Sequence, residues 1–268
     1  MIRDITRTTF RKRIDMDRQP PGIFGHNRAA LTPLYAVMPA AGVLDSRLPD
    51  FRNTVVRVLT SPAMGAKFAQ ILLEIGQDGG MTKTRDDNLE HFFYVVGGTA
   101  ALEIGETTHT LAASGYAYVP PGVAYRLQNR TDVAAKVIWI KRPYDRIDLP
   151  VPQALTGHRE NVPKVNKHTT GRYWQHLLPA GDMAFDMEVN ILGFAPGTYF
   201  PCVETHVMEH GLYMLEGQGM YLLGNDWHEC WTTDFVYMGP FCPQFFYATG
   251  WEEAAYLLYK DVNRDVKF

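Results

Sequence analysis

The chain contains two stretches that align without a gap, EHFFYVVGGTAALEIGETTHTLAASGYAYVPPGVAYRLQNRTDVAAKVIWIK (residues 90–141) and EHGLYMLEGQGMYLLGNDWHECWTTDFVYMGPFCPQFFYATGWEEAAYLLYK (residues 209–260). The offset between them is 119 positions. Identical residues coincide at Glu90/Glu209, His91/His210, Tyr94/Tyr213, Gly98/Gly217, Gly105/Gly224, His109/His228, Tyr118/Tyr237, Pro121/Pro240 and Lys141/Lys260. Self-similarity of this length at one fixed offset indicates a duplicated domain.

Each copy has the pattern of an all-β domain. Short runs of β-branched and aromatic residues are separated about every 8 to 12 residues by turn signals such as GG, GND and PPG, and no long helical period is present. The sequence therefore predicts an all-β fold of two tandem barrels. A polar, proline-containing segment at 145–172 places the boundary near residue 150. We expect residues 1–150 to hold an N-terminal arm and the first barrel, with the arm packed irregularly on that barrel, and residues 151–268 to hold a linker and the second barrel.

Charge and composition argue against several classes of function. The 268 residues carry 26 basic and 29 acidic side chains, a formal net charge of −3, with no basic patch for nucleic acid or an anionic membrane surface. The three cysteines show no C-x-x-C spacing, so neither a disulfide framework nor a zinc knuckle is expected. No secretory signal or membrane span is recognisable. We expect a cytoplasmic protein that acts on a small molecule.

A cluster of metal-binding residue types occurs in VETHVMEHG, residues 203–211, which holds Glu204, His206 and His210. The segment from His206 to His210, with Glu209 between them, also matches the H-x-x-E-H inverted zinc-peptidase signature, in which both histidines lie one helical turn apart. The repeat favours strands instead, and on a strand Glu204 and His206 share a face. A straight strand would separate the two histidines by about 13 Å. The chain is therefore expected to turn or bulge near Met208.

A fourth ligand should come from a neighbouring strand, and PFCPQFF supplies Gln244. Oxygen and nitrogen donors without a thiolate suit Mn²⁺ or Fe²⁺ better than a structural zinc. The 119-residue offset places Arg85, Asp87, His91 and Tyr125 at the equivalent positions of the first barrel. Because arginine has no lone pair to donate, that set is a poor cage. One barrel is expected to hold the metal and the other to be structural.

The ordered motifs of the second half resemble a known family. Two barrels with E-x-H-x-x-x-H and a later Gln resemble the bicupins, whose double-stranded β-helix domains are jelly-roll barrels. ETHVMEHGLYMLEGQGMYLLGNDW, YMGPFCPQFFYA and YLLYKDVNRDV resemble the (S)-ureidoglycine aminohydrolase family within them. The resemblance implies Mn²⁺-dependent release of ammonia from ureidoglycine in allantoin catabolism. It also implies that Glu204, His206, His210 and Gln244 hold the metal and that Tyr221, Tyr256 and Lys260 contact the substrate.

One strand departs from the family pattern. Where the family often has F-D-x-N-x-H, this chain has FDMEVNI, with Glu188 and Asn190. Two alternatives therefore stay open: an Fe²⁺ or Mn²⁺ oxygenase or isomerase acting on another small carboxylate, and a ligand-binding bicupin without activity. Lys260 would bind the substrate carboxylate or pass a proton to departing ammonia, whereas a solvated strand end is the plain alternative for it. A homo-oligomer is the default expectation.

Overall fold

The computed structural model describes residues 28–166 and 170–267. Within these ranges the chain forms strands and short 3-10 turns, the latter at Ala40–Gly42, Pro62–Met64 and Arg159–Asn161. The strands of the first half are β1 (Ala30–Leu31), β2 (Tyr35–Pro39), β3 (Phe51–Thr60), β4 (Ala69–Met81), β5 (Leu89–Gly97), β6 (Thr99–Ile104), β7 (Thr107–Ala112), β8 (Gly115–Val119), β9 (Tyr125–Gln128) and β10 (Ala135–Pro143). Those of the second half are β11 (Leu155–His158), β12 (Val165–Asn166), β13 (Arg172–His176), β14 (Met187–Phe194), β15 (His210–Glu216), β16 (Gln218–Leu223), β17 (Asp226–Trp231), β18 (Asp234–Met238), β19 (Gln244–Ala248) and β20 (Ala254–Asp261). No helix in the described ranges is long and apolar enough to cross a membrane.

The strands of the described ranges form two barrels, the first from one continuous nine-stranded sheet and the second from two sheets. In the first barrel, the order β11-β8-β5-β10-β4 carries β3 on the edge of β4 and continues through a single pair, Gly80 with Gln128, into β9-β6-β7. In the second barrel, β1-β2-β18-β15-β20-β14-β13-β12 forms one sheet and β17-β16-β19 the other. Equivalent strands of the two repeats occupy equivalent places. The prediction of an all-β protein with two tandem barrels is confirmed.

The two barrels exchange one edge strand each. Strand β2 of the N-terminal half pairs antiparallel with β18 of the second barrel, Val37 opposite Val236. Strand β11 of the linker pairs antiparallel with β8 of the first barrel, Thr156 opposite Ala117. The 119-residue offset relates both pairs, so the exchange is reciprocal. The expectation that the arm packs on the first barrel is wrong for β2, since its ladder hydrogen bonds are made with the second. The boundary near residue 150 stays a prediction, and the part of the arm before residue 28 lies outside the described residues.

Buried apolar side chains form three clusters, one inside each barrel and one between the barrels. The inside of the second barrel contains Leu192, Leu212 and Tyr256, and the cluster between the barrels contains Tyr213 and Leu257 together with side chains of the first barrel. Successive strand residues point to opposite faces of a sheet. Each strand of the large sheets therefore supplies both clusters, which explains why β14, β15 and β20 have almost continuous apolar sequences.

This alternation fixes which polar side chains enter the second barrel. Leu192, Leu212 and Leu258 lie in its interior cluster. By the two-residue period, Glu188 and Asn190 on β14, His210 on β15 and Lys260 on β20 share that face. Lys260 lies opposite both Glu188 and His210 in the ladders. Polar residues of three adjacent strands thus meet at one end of the barrel.

Candidate metal centre

Three of the predicted ligands meet at this end of the second barrel. His210 begins β15, Gln244 begins β19, and His206 lies in the loop before β15. The Nε2 atom of His206 is 3.2 Å from Nε2 of His210 and 2.8 Å from Nε2 of Gln244. The chain thus turns between the histidines, as a shared site requires. Residues 203–209 are not helical, so the inverted zinc-peptidase interpretation is wrong.

The outer hydrogen bonds of the two imidazoles fix where their protons lie. Nδ1 of His206 donates to the carbonyl of Met208 at 3.2 Å, and Nδ1 of His210 donates to the carbonyl of Tyr259 at 3.2 Å. A carbonyl can only accept, so each neutral ring keeps its lone pair on Nε2. The two Nε2 lone pairs face each other. A backbone carbonyl on the far nitrogen is also the usual support of a metal-binding histidine.

His210 is held in the neutral form. Burial lowers its pKa to about 3, with His206 and Lys260 acting in the same direction and the carbonyl of Tyr259 opposing them. The ring is almost completely shielded from solvent. A neutral imidazole is the form that binds a metal ion.

The carboxylate of Glu204 is the predicted ligand that lies apart from this group. Its backbone is locked beside Gln244 by two hydrogen bonds of 2.9 Å, from each amide to the other residue's carbonyl. Its side chain, however, lies 4.0 Å from the guanidinium of Arg172. Across residues 28–166 and 170–267, no three His, Cys, Asp or Glu side chains form a ready cage. A complete centre requires the Glu204 side chain to turn from Arg172 towards the imidazoles.

The donor set fits a divalent cation of the Mn²⁺ or Fe²⁺ kind. Two opposed Nε2 lone pairs repel each other unless a cation or a proton lies between them. An amide rotation at Gln244 exchanges Nε2 for Oε1 and presents an oxygen donor at the same position. With the carboxylate of Glu204 the set becomes two nitrogens and two oxygens, which suits these metals.

Two tyrosines expected to contact the substrate lie deeper in the barrel. Tyr221 and Tyr256 are fully buried, with ring centroids 6.4 Å apart. Burial raises the pKa of both hydroxyls, and the nearby charge of Glu204 raises both further. Both therefore stay protonated. The hydroxyl of Tyr221 donates to that of Tyr256, whose own proton has no acceptor among the described residues.

Lys260 is part of a chain of polar contacts along the barrel wall. Its Nζ lies 2.9 Å from Oε2 of Glu188. The same oxygen accepts from the side-chain amide of Asn190 at 3.1 Å, and Oδ1 of Asn190 accepts from Nδ1 of His176 at 2.8 Å. The two residues that depart from the family pattern are thus in direct contact with Lys260 or its partner.

A cavity of about 780 Å³ opens beside this chain of contacts. Lys260 and Glu188 lie on its wall, together with Val207 and Met208 from the histidine loop. Residues 261–267 form much of its opposite wall. The cavity therefore joins the Lys260–Glu188 pair to the loop that carries His206, and it is large enough for a small carboxylic acid.

The equivalent site of the first barrel has a different chemistry. Nε2 of His91 donates to Asp87 at 2.9 Å, and Nδ1 of His91 accepts from the indole N–H of Trp139 at 3.2 Å. Both ring nitrogens are thus occupied within the protein. Arg85 replaces the carboxylate of Glu204, and the hydroxyl of Tyr125 replaces the amide of Gln244. Unlike His210, His91 therefore has no ring nitrogen with a lone pair available to bind a metal ion.

Sequence reasoning missed two residues of this site. Arg172 is buried, with its guanidinium 4.0 Å from Glu204 and 4.2 Å from the centroid of the Phe200 ring. His176 closes the polar chain at Asn190. Both occupy alternate positions of RYWQH on β13 and so share a face. This spacing could have shown that Arg172 and His176 share a face of β13. It does not by itself show that this face points into the barrel.

Comparison with known proteins identifies the family. A model described as a cupin domain matches residues 72–141, in the first barrel. A relative from Oryza sativa subsp. japonica, described as a probable (S)-ureidoglycine aminohydrolase, is 34% identical over 244 residues, covering 90% of this chain and 77% of its own. The (S)-ureidoglycine aminohydrolase of Escherichia coli K12 is 32% identical, covering 87% of this chain and 90% of its own. A crystal structure from Pseudomonas aeruginosa, described as a putative glyoxylate-induced protein, is 34% identical and superposes with a TM-score of 0.84 over 93% of this chain and 95% of that one.

The two curated relatives cover 90% and 87% of this chain, so the similarity extends over both barrels. The chain belongs to the (S)-ureidoglycine aminohydrolase family of cupin proteins.

Proposed function

We propose that this protein hydrolyses (S)-ureidoglycine to (S)-ureidoglycolate and ammonia. The observation that carries the proposal is that His206, His210 and Gln244 meet at one end of the second barrel. Lys260, opposite His210 in the ladder, lines a cavity there with Val207 and Met208, in a chain whose relatives are named for this activity. In the reaction one C–N bond breaks, a hydroxyl from water takes the place of the amine, and the amine leaves as ammonia. The protein is therefore a hydrolase of carbon–nitrogen bonds.

Lys260 supplies the positive charge that a carboxylate substrate needs. It lies on the wall of the cavity, directly across the ladder from His210. An ammonium on one side and the histidine loop on the other would hold the substrate's central carbon between them. Such positioning is a large part of catalysis because it replaces the entropy cost of a chance encounter.

The two buried tyrosines are suited to the neutral end of the substrate. The Tyr256 hydroxyl accepts from Tyr221 and has no acceptor for its own proton among the described residues, and a buried donor left without an acceptor is unfavourable. The ureido carbonyl can accept from such a hydroxyl. Since burial and Glu204 keep Tyr221 and Tyr256 protonated, both act as donors and neither acts as a general base.

We also propose Mn²⁺ as the cofactor, held by Glu204, His206, His210 and Gln244. When bound, such an ion acts as a Lewis acid that polarises the group it contacts. Neutral His210 and the outer carbonyl partners of both imidazoles keep the nitrogens ready for it. Glu204, 4.0 Å from Arg172, would turn from it towards the imidazoles to join them.

The decisive experiment is to incubate Mn²⁺-loaded protein with freshly generated ureidoglycine and follow free ammonia. The expected result is ammonia release above the spontaneous rate together with formation of one enantiomer of ureidoglycolate. The His210→Ala variant should lose this activity. A matched control, His109→Ala in the hairpin of the first barrel, should keep it. A spontaneous-level rate for the loaded wild-type protein contradicts the proposal.

The ion pair between Glu188 and Lys260 favours one other candidate, a cupin enzyme that uses Fe²⁺ or Mn²⁺ on a different small carboxylate. Glu188 and Asn190 stand where the family often has Asn and His, and Glu188 alters the surroundings of the lysine that would hold the substrate. Elemental analysis combined with the ammonia assay separates the two candidates. A cytoplasmic location and a homo-oligomeric state stay predictions.

A further inference from the structure

Within the described part of the chain, one oxygen of the Glu188 carboxylate has hydrogen-bond donors and the other has none. Both Lys260 and Asn190 bond to Oε2, and no described residue donates to Oε1. Burial alone would raise the pKa of Glu188, but Lys260 and Asn190 outweigh it and hold the pKa below its ordinary value. The side chain is about one-fifth exposed and lies on the cavity wall. Oε1 of Glu188 is therefore a charged hydrogen-bond acceptor on the wall of the cavity in which the substrate would bind, and no described residue donates to it.

The neighbours of Glu188 orient this carboxylate. Asn190 lies two residues along the same face of β14, and it is itself held by His176 from the adjacent strand. Lys260 reaches the same oxygen from β20 on the other side. Three strands therefore fix Oε2, and the second oxygen is left to point away from these partners. Polar groups held in this way lose little entropy on binding a ligand.

We propose that Glu188 selects substrates that carry an amine on the carbon next to the carboxylate, with its free Oε1 accepting the amine N–H while Lys260 takes the carboxylate. The two charged groups, 2.9 Å apart, match an amine and a carboxylate attached to a single carbon. The inference rests on the proposed function, because it assigns the recognition of one group of that substrate. It also explains why a carboxylate can stand beside Lys260 in a site for an anionic molecule.

Two stable probes test the proposal without turnover. Ureidoacetate has the ureido group and the carboxylate but no amine. The probe 2-amino-3-ureidopropanoate has all three groups, with the amine next to the carboxylate. Calorimetric titration of the Mn²⁺-loaded protein should show tighter binding of the amine-bearing probe by about tenfold to a hundredfold, as a charge-assisted hydrogen bond predicts.

The Glu188→Gln variant keeps the shape of the side chain and removes its charge. The expected result is loss of most of the preference for the amine-bearing probe, with ureidoacetate bound as well as before or better. Glu103→Gln, which alters a surface ion pair with Arg130 in the first barrel, is the matched control and should keep the wild-type preference. Thermal unfolding checks that each variant is folded.

Three outcomes overturn the proposal: no preference in the wild-type protein, an unchanged preference in Glu188→Gln, or an equal loss for both probes. The last outcome means that Glu188 only orients Lys260. The result is separable from the proposed function, because the selection is read from binding. A protein that does not hydrolyse ureidoglycine but loses its amine preference in Glu188→Gln supports the selection and refutes the reaction.

Discussion

Arg142 is predicted to be a main source of stability between the two barrels. Its guanidinium lies 3.5 Å from Glu90 and 3.4 Å from Asp186, and it donates to the hydroxyl of Tyr259 at 2.9 Å. Both carboxylates are fully buried. Arg142→Met leaves the buried carboxylate of Asp186 without its cationic partner, and breaking a buried ion pair in this way costs about 3–5 kcal/mol. For a chain of this size, Arg142→Met should lower the melting temperature by about 6 to 20 °C.

The stability lost in Arg142→Met should increase as the pH rises. Burial, and then Asp186, raises the pKa of Glu90 well above its ordinary value, and Arg142 opposes this. Above the unfolded-state pKa of Glu90, the native protein keeps a proton that the unfolded chain has released, so stability falls as pH rises. Without Arg142 the native pKa is higher still. The difference in melting temperature between the wild-type protein and Arg142→Met should therefore be larger at pH 8 than at pH 5.

Thermal unfolding followed by circular dichroism at both pH values measures this difference. The matched control is Arg130→Met, which removes a half-exposed ion pair with Glu103 and should cost about 0–1 kcal/mol. The reasoning is refuted if the two arginine variants lose the same stability at pH 8. It is also refuted if the loss at Arg142 grows as the pH falls.

Three further predictions concern the site and the fold. Glu204→Ala should lose bound metal while keeping its circular dichroism spectrum, because it removes the only carboxylate of the proposed centre; unchanged metal content by elemental analysis contradicts the assignment. Gly217→Ala should destabilise the protein more than Gly224→Ala. Both glycines have positive φ, so either substitution costs about 1–2 kcal/mol, but at Gly217 the added Cβ would also lie 2.5 Å from a backbone oxygen, whereas at Gly224 the nearest atom is a side-chain atom at 3.7 Å. Equal midpoints of unfolding in urea refute this. A fragment of residues 151–268 should fail to fold alone, since β18 loses its partner β2; a cooperative melting transition of the fragment contradicts it.

The repeat made the two barrels predictable, because side chains that recur at one offset mark the same turns and the same inward positions. The meeting of His206, His210 and Gln244 was predictable from the same offset and from strand geometry. The strand exchange was not. Residues 35–39 and 154–158 occupy equivalent positions without sharing a residue, since an edge strand is held through backbone hydrogen bonds, which leave little trace in sequence.

The ion-pair partners of charged side chains could not be predicted from the sequence either. Nothing in the local pattern of Glu188 indicates that Lys260 lies opposite it, because the two strands are far apart along the chain and the pairing depends on register. Arg172 is a similar case: a lone arginine reads as a surface residue, and here it is buried beside Glu204. Which charged side chains meet across neighbouring strands can be predicted only when the pairing and register of those strands are known.

One neighbour contributes to the difference between the two histidines at one repeat position. In the first barrel the indole of Trp139 donates to Nδ1 of His91, which forces the proton onto Nε2 and ties that nitrogen to Asp87. At the equivalent of Trp139 the second barrel has Leu258, which has no donor. Nδ1 of His210 can then give its proton to a backbone carbonyl, and Nε2 keeps its lone pair for the site. One apolar residue in place of an indole thus leaves a potential ligand in the second barrel, where the first has a closed hydrogen-bond pair.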